Sequence, residues 1–242
     1  MDILLLSESV PRATDNRSGS SSQFVNHTEG GSALNEAAAV LHAHAEVPLA
    51  ESPLTPESWG KLGMWVFLAG DAMSFGGLLA GYGALRASSA NWPSPMEKLG
   101  ILTTSFMTFL LIVSSVWMVL ALSAAKHGHQ ARFRKFLLLT VIGGTTFLLM
   151  QAYEWTHLVH EGMTMSSNPW GAPLFGTTFF ILTGFHGCHV FGGVVYLTCV
   201  LLGGLKGQYT PDNYNPVEIA GLYWHFVDLV WILVFTFVYL LR

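Results

Sequence analysis

The stretch LGILTTSFMTFLLIVSSVWMVLALS, from Leu99 to Ser123, contains no charged residue. An α-helix rises ~1.5 Å per residue, so about 20 apolar residues cross the ~30 Å hydrocarbon core of a bilayer. This stretch is long enough to do so, and it predicts a transmembrane helix. The fold then depends on how often the pattern recurs along the chain.

Four further apolar runs of similar length follow the same pattern. Segments rich in helix breakers separate them, such as NWPSP before the second run and SSNPWGAP before the fourth. Pro216, shortly before the last run, suits the entrance of a helix. We therefore expect an all-α fold, a polytopic membrane bundle of five transmembrane helices within residues 59–242. The expected spans are about 62–85, 99–123, 136–158, 174–203 and 219–241.

Composition supports a membrane protein. Of the 242 residues, 51% are hydrophobic and 11% are charged, whereas a soluble domain carries ~25% charged residues. The formal net charge is −4, so the chain offers no basic face for the phosphate contacts that dominate nucleic-acid binding. This excludes nucleic acid as a partner.

Residues 1–58 differ from the rest, because they are rich in Ser, Glu, Asn and Pro. This composition predicts a flexible N-terminal extension with one short helix at NEAAAVLHAHAE. Two histidines in that segment, His42 and His44, could bind a metal, but histidines in a flexible tail more often bind nothing.

The distribution of lysine and arginine predicts the orientation in the membrane, since cytoplasmic loops carry an excess of both. The loop between the second and third runs holds Lys126, Arg132, Arg134 and Lys135, whereas the segment 159–173 holds neither type of residue. We therefore expect the first loop, and with it the N-terminus and its extension, on the cytoplasmic side. Five spans then place the C-terminus outside.

Ionisable side chains inside the runs are the candidate functional residues, because a charge at the bilayer centre costs ~2.5 to 3.5 kcal/mol on insertion scales. Six of them form pairs three residues apart, a spacing that places both members on one side of a helix. Asp71 has no such companion on its own helix. The pairs are Glu154 with His157, His186 with His189, and His225 with Asp228.

These residues leave several readings open. Glu-x-x-His is the half-motif of di-iron bundles, so a membrane di-iron enzyme is one hypothesis, although the chain has only one copy. A network of interhelical hydrogen bonds is the second reading. A transporter is a third, and the odd number of spans disfavours its inverted repeats. Asp71 could pass protons or could simply donate a hydrogen bond.

Glycine is frequent in the first and fourth runs, and small residues let transmembrane helices approach closely. Either the helices pack on one another there, or one face is reserved for another subunit. The glycines are Gly63, Gly70, Gly76, Gly77 and Gly81 in the first run, and Gly184, Gly187, Gly192 and Gly193 in the fourth.

Several long motifs resemble subunit III of the haem-copper terminal oxidases. They are KLGMWVFLAGDAMSF, QAYEWTHLVHEGM, FGTTFFILTGFHGCHV and YWHFVDLVWILVF. The resemblance implies the short bacterial form with five helices, in the bacterial inner membrane. It also implies a subunit without its own redox centre or catalytic site, docked on a catalytic subunit I and a subunit II. Haem and copper would lie in those partners, and this subunit would stabilise subunit I, support proton uptake and bind phospholipid.

The same resemblance carries roles onto single residues. Asp71 matches a buried glutamate of the family that is one methylene longer, and we expect Asp71 to support proton uptake. Lys206 in GGLKG is left as the lipid headgroup contact, because the arginine common there in the family is absent. The histidines and acids of the three pairs match positions read as structural or interface groups. Cytochrome c oxidases and quinol oxidases share this subunit, and we favour the cytochrome c branch.

Overall fold

The computed structural model describes residues 59–241, and every regular element within that range is helical. The predicted N-terminal extension, its short helix, His42 and His44 lie outside the described residues. Five helices within the range are long and apolar enough to cross a membrane. The prediction of an all-α membrane bundle with five spans is therefore confirmed.

The five long helices are numbered in chain order. They are α1 (Trp59–Ser88), α2 (Ile101–Lys126), α3 (Gln130–His160), α4 (Pro173–Leu205) and α5 (Asn215–Val234). A wider π-helical segment, Phe235–Leu240, continues α5, and one helical turn, Pro95–Lys98, precedes α2. Pro216 lies in the first turn of α5, where its missing N–H costs no hydrogen bond.

The helices extend beyond several of the predicted spans, because helical structure continues past the apolar residues. The clearest case is α3, which begins at Gln130 rather than near residue 136. Its first turns, QARFRK, carry three basic residues and therefore do not register as apolar. The backbone hydrogen bonds of a helix do not require apolar side chains. A prediction from polarity alone therefore places the start of such a helix too late in the sequence.

Helix α5 is the centre of the bundle. It packs against α1, α2 and α4, while α2 and α3 form an extensive antiparallel hairpin. Apolar side chains of α5, among them Trp224, Trp231 and Val234, are almost completely buried. Helix α1, in contrast, is the least buried of the five and packs mainly on α4 and α5.

The two groups of glycines behave differently. In α4, a Cβ atom on Gly184, Gly187 or Gly193 would lie within about 3 Å of a side chain of α3 or α5, so these glycines permit close packing. In α1, no atom lies within 4 Å of the Cβ position of Gly63 or Gly70. The same holds for Gly76, Gly77 and Gly81. The glycine face of α1 is therefore open in this chain.

Basic residues gather at one end of the bundle, here called the basic end. The Glu218 carboxylate of α5 joins two of them there, at 3.1 Å from Lys61 Nζ of α1 and 3.8 Å from Lys126 Nζ of α2. These ion pairs bring three helix ends together. The residues of the basic end are Lys61, Lys126, Arg132, Arg134, Lys135 and Lys206.

Candidate functional site

Asp71 and His189 form an ion pair or hydrogen bond between α1 and α4. The distance from His189 Nε2 to Asp71 Oδ1 is 3.1 Å, and the Asp71 residue is only 8% exposed. The other carboxylate oxygen, Oδ2, is buried and has no hydrogen-bond partner among the described residues. Asp71 is therefore not the lone acid that its own helix suggested, because its partner comes from a helix more than a hundred residues away.

The second ring nitrogen of His189 restricts where the protons lie. Nδ1 is 2.7 Å from the backbone oxygen of Phe185, and since a carbonyl can only accept, Nδ1 must carry a hydrogen. Nε2 and Asp71 Oδ1 then share one proton. Either a neutral acid donates to a neutral imidazole, or an imidazolium donates to a carboxylate. Both arrangements give the pair zero net charge, as the hydrocarbon region favours.

Glu154 of α3 lies in a separate buried cluster. Its Oε1 is 3.0 Å from Thr104 Oγ1 of α2, and the Tyr239 hydroxyl donates to its Oε2 at 3.2 Å. The acid thus links α2, α3 and the π-helical segment after α5. His157, three residues further on, is exposed and lies 3.6 Å from Glu161 through its Nδ1 atom.

Asp228 and His225 also lie in different surroundings. Asp228 faces α2, where the Ser115 hydroxyl donates to its Oδ2 at 2.7 Å. Its Oδ1 is buried without a hydrogen-bond partner among the described residues. His225 instead lines an apolar groove of about 420 Å³ between α1 and α5, beside Trp65 and Leu229.

His186 occupies the interior of the bundle and is fully buried. Its ring lies 4.8 Å from the Trp231 ring and 5.7 Å from the Phe147 ring, measured between centroids. Neither ring nitrogen has a hydrogen-bond partner among the described residues. His186 therefore packs as an aromatic residue, while His189 makes the polar contact.

The two members of each i, i+3 pair thus share no polar partner among the described residues. Three residues of an α-helix leave an offset of ~60° around the axis, and in a tight bundle this offset is enough to select another helix. Residues three apart on one side of a helix therefore need not share a polar partner. A di-iron site at Glu154 and His157 has little support, because no group of three or more His, Cys, Asp or Glu side chains forms there among the described residues.

A row of hydrogen bonds between α2 and α5 was not predicted from the sequence. Trp231 Nε1 donates to Thr108 Oγ1 at 2.9 Å, and Trp224 Nε1 donates to Ser114 Oγ at 3.1 Å. Together with the contact between Ser115 and Asp228, they place small hydroxyl residues of α2 opposite large residues of α5. The spacing of Thr and Ser along one face of α2 was the available signal.

A second unpredicted contact lies at the basic end. Arg134 of α3 donates through Nε to the backbone oxygen of Gly204 at 3.1 Å, near the C-terminus of α4. Lys206, the predicted headgroup contact, follows at the end of that helix and is exposed. A guanidinium group therefore does lie beside GGLKG, but it comes from another helix.

Within residues 59–241, no group of three or more His, Cys, Asp or Glu side chains could hold a metal ion. The polar groups described above form pairs and small clusters at different depths and on different faces. Their geometry suits hydrogen bonding between helices, and at Asp71 and His189 it suits holding a proton.

Comparison with known proteins gives one consistent result. Residues 58–242 match the family model described as "Cytochrome c oxidase subunit III". A cytochrome c oxidase subunit 3 from Corynebacterium diphtheriae is 37% identical over 185 residues, covering 75% of this chain and 88% of that protein. One from Bacillus subtilis is 34% identical over 196 residues, covering 80% and 92%. A quinol oxidase subunit 3 from Bacillus subtilis is 33% identical over 202 residues, covering 82% and 97%.

Proposed function

The chain belongs to the cytochrome c oxidase subunit III family and is thus subunit III of a haem-copper oxidase, and we propose that in this complex it stabilises the catalytic subunit and supports proton uptake. The observation that carries the second role is the buried pair of Asp71 and His189. An acid that shares one proton with an imidazole holds that proton without a net charge in the membrane, and its release to a partner leaves one negative charge, which a returning proton neutralises.

Membership of the family implies a complex with other oxidase subunits. The specific partners that we propose are a catalytic subunit I and a subunit II, which carry the haem and copper. The open glycine face of α1 supports docking of this kind, since helices that present small residues can be approached closely. The groove beside His225 adjoins α1 and offers an imidazole to the same partner.

Phospholipid binding is proposed for the basic end. Lys206 is exposed there, and Arg134 already lies beside the end of α4. A guanidinium and an ammonium group at the headgroup level suit a lipid phosphate. Replacing Lys206 with Gln should reduce the amount of anionic phospholipid that co-purifies with the complex, measured by lipid mass spectrometry.

The five helices make this a multi-pass membrane protein. We propose the bacterial inner membrane as its location, with the basic end in the cytoplasm, because lysine and arginine concentrate in cytoplasmic loops. A cysteine introduced at His127 should then be blocked by impermeant maleimide only in inside-out vesicles. Blocking in right-side-out vesicles would indicate the opposite orientation.

Cytochrome c is the proposed electron donor, because several relatives are cytochrome c oxidase subunits. The quinol branch is the second candidate, supported by the relative named quinol oxidase subunit 3. The subunit II that accompanies this chain decides between them. A binuclear copper site in that subunit supports cytochrome c, and its absence supports quinol.

Purification through a tag on this chain tests the central proposal. We expect a haem-copper catalytic subunit to co-purify, and we expect the isolated chain to show no haem absorption. A complex that lacks this chain should keep its haem spectrum but lose activity faster during turnover. Stoichiometric iron in the isolated chain, lost on replacing Glu154 or His157 with Ala, would instead support the di-iron alternative.

A further inference from the structure

A pocket of about 290 Å³ lies between the start of α2 and the last turns of α3, at the end of the bundle opposite the basic end. Gly100 and Thr103 of α2 and Glu154 and His157 of α3 contribute to its walls, together with the apolar side chains of Leu99 and Leu158.

The polar groups of the pocket retain capacity to accept further hydrogen bonds. Glu154 is 6% exposed, and each of its oxygens has one described hydrogen-bond partner, Thr104 or Tyr239. A carboxylate offers about four acceptor positions, so Glu154 retains acceptor capacity. The Thr103 hydroxyl and the Nε2 atom of His157 make no hydrogen bond to other described residues.

This set of groups determines the chemistry of the ligand. A carboxylate, a hydroxyl and an imidazole nitrogen can together accept from a group that carries several N–H donors and a positive charge. A primary ammonium has three such donors. A quaternary ammonium has none, so it would match the charge of the pocket but leave the acceptors unsatisfied.

The surroundings indicate that the ammonium group belongs to a membrane lipid. Glu154 lies six residues before the end of α3 at His160, or about 9 Å along the axis, a depth near the boundary of headgroups and acyl chains. Large apolar side chains on the outer surfaces of the same two helices are exposed, including Leu102 and Phe106 of α2 and Leu149 and Tyr153 of α3. They offer a surface for acyl chains.

We propose that this pocket binds the ammonium headgroup of an aminophospholipid, with Glu154 as the anionic contact and Thr103 and His157 as further acceptors. The site is independent of the phosphate contact proposed at Lys206, because the two lie at opposite ends of the bundle. It is also independent of proton uptake at Asp71, which faces α4.

The test uses the intact oxidase complex in nanodiscs that contain equal amounts of phosphatidylethanolamine and phosphatidylcholine. Native mass spectrometry then counts the retained lipids. We expect the complex to retain phosphatidylethanolamine in preference, and the variant Gly100→Leu to lose one such lipid for each copy of this chain. Gly100 has φ −70°, and its Cβ position is 3.7 Å from Thr103 Oγ1, so a larger side chain can enter the pocket without backbone strain.

The matched control is Ala152→Leu, which adds similar bulk to an exposed position in the groove between α3 and α4. This variant should retain the lipid. If Gly100→Leu fails to assemble, the double variant Thr103→Val with His157→Leu replaces it, and it should lower the preference for phosphatidylethanolamine about tenfold, as expected for the loss of hydrogen bonds to a charged group.

Equal retention of the two lipids by the unmodified complex would overturn the proposal. Unchanged retention of phosphatidylethanolamine in the assembled Gly100→Leu variant, or in the double variant, would do the same. In a third arm, soluble ethanolamine is added to nanodiscs of phosphatidylcholine alone. Retention of ethanolamine to the same extent as the lipid would overturn the assignment to a membrane lipid.

Discussion

His189 Nε2 lies 3.1 Å from Asp71 Oδ1, and this contact joins the least buried helix of the bundle to α4. Because Nδ1 of the same imidazole is engaged by the Phe185 carbonyl, only one proton can lie between the two side chains. The carboxyl group and the imidazole therefore act as one unit, and their predicted roles have to be tested together.

Asp71→Asn should separate proton transfer from helix packing. The amide can still donate a hydrogen bond to His189 Nε2, but it cannot take part in proton transfer, so assembly should be normal while proton uptake slows or the enzyme inactivates earlier during turnover. Time-resolved proton uptake and the decay of oxygen consumption measure both effects. Asp71→Glu, which restores an acid, should recover them.

Unchanged kinetics in the variant would contradict this prediction. If Asp71→Asn has normal proton uptake and a normal lifetime, Asp71 has only a structural role. Asp71→Leu would then still reduce assembly, because His189 would lose its described partner at that nitrogen.

Ser115→Ala should destabilise the complex more than Asp228→Ala does. Ser115 without Asp228 can turn its hydroxyl to a carbonyl of its own helix, whereas Asp228 without Ser115 keeps a buried carboxyl group with no described hydrogen bond. The expected cost for Ser115→Ala is about 1 kcal/mol, within the range for interhelical hydrogen bonds in membranes. Thermal unfolding of the purified complex gives the comparison, and an equal loss for both variants would contradict it.

His225→Ala should weaken association with the catalytic subunit without altering the stability of this subunit itself. The side chain makes no described hydrogen bond and lines a groove at the surface of α1 and α5. The measurement is the fraction of catalytic subunit retained during purification at increasing detergent concentration. His160→Ala, which removes an exposed imidazole outside this groove, is the matched control, and equal retention in His225→Ala and the unmodified chain would show that the groove is not an interface.

Gly144→Ala should be strongly unfavourable for packing within this chain, whereas Gly70→Ala should leave that packing unchanged. A Cβ on Gly144 would lie 2.4 Å from Cη2 of Trp224 and 2.8 Å from Cγ2 of Val194, but no atom lies within 4 Å of the same position on Gly70. Overpacking costs about 1 to 3 kcal/mol, which exceeds the gain of ~1 kcal/mol in helix propensity. Expression level and melting temperature report the difference. A melting temperature unchanged by Gly144→Ala would mean that α3 and α5 pack less closely.

The indole of Trp231 and the hydroxyl of Thr108 allow a direct measure of the bonds between α2 and α5. We expect Trp231→Phe and Thr108→Val each to lower stability, and the double variant to cost less than their sum, with a coupling energy of ~0.6 to 1.7 kcal/mol. Thermal unfolding of the unmodified protein, the two single variants and the double variant supplies the four stabilities of this double-mutant cycle. Strict additivity would mean that the contact of 2.9 Å contributes nothing.

The sequence predicted what depends on local composition. Apolar runs gave the five helices and Pro216 marked the entrance of α5, whereas the charged start of α3 at Gln130 escaped the pattern. Motifs such as GFHGCHV and YWHFVDLVW pointed to the family, which the comparisons confirm. The roles proposed for single residues remain predictions.

The contacts of the polar residues could not be read from the sequence, because they depend on how helices are rotated in the bundle. Spacing placed His186 beside His189, but an offset of ~60° sends one into an aromatic core and the other to Asp71. The same limitation hid Arg134, which reaches Gly204 from another helix. Periodicity identifies the side of a helix, and only packing identifies the neighbour.

The dependence of α1 on α4 and α5 also constrains how the protein is made. Helix α1 is synthesised first, but its main contacts arise with the last two helices of the chain. At ~5 to 20 residues per second, the ribosome needs roughly 6 to 25 s to travel from the end of α1 to the start of α5. For most of that interval, until α4 has been synthesised, Asp71 has no His189 to contact. Membrane insertion of α1 thus precedes its docking, and assembly of the bundle finishes only after the chain has been completed.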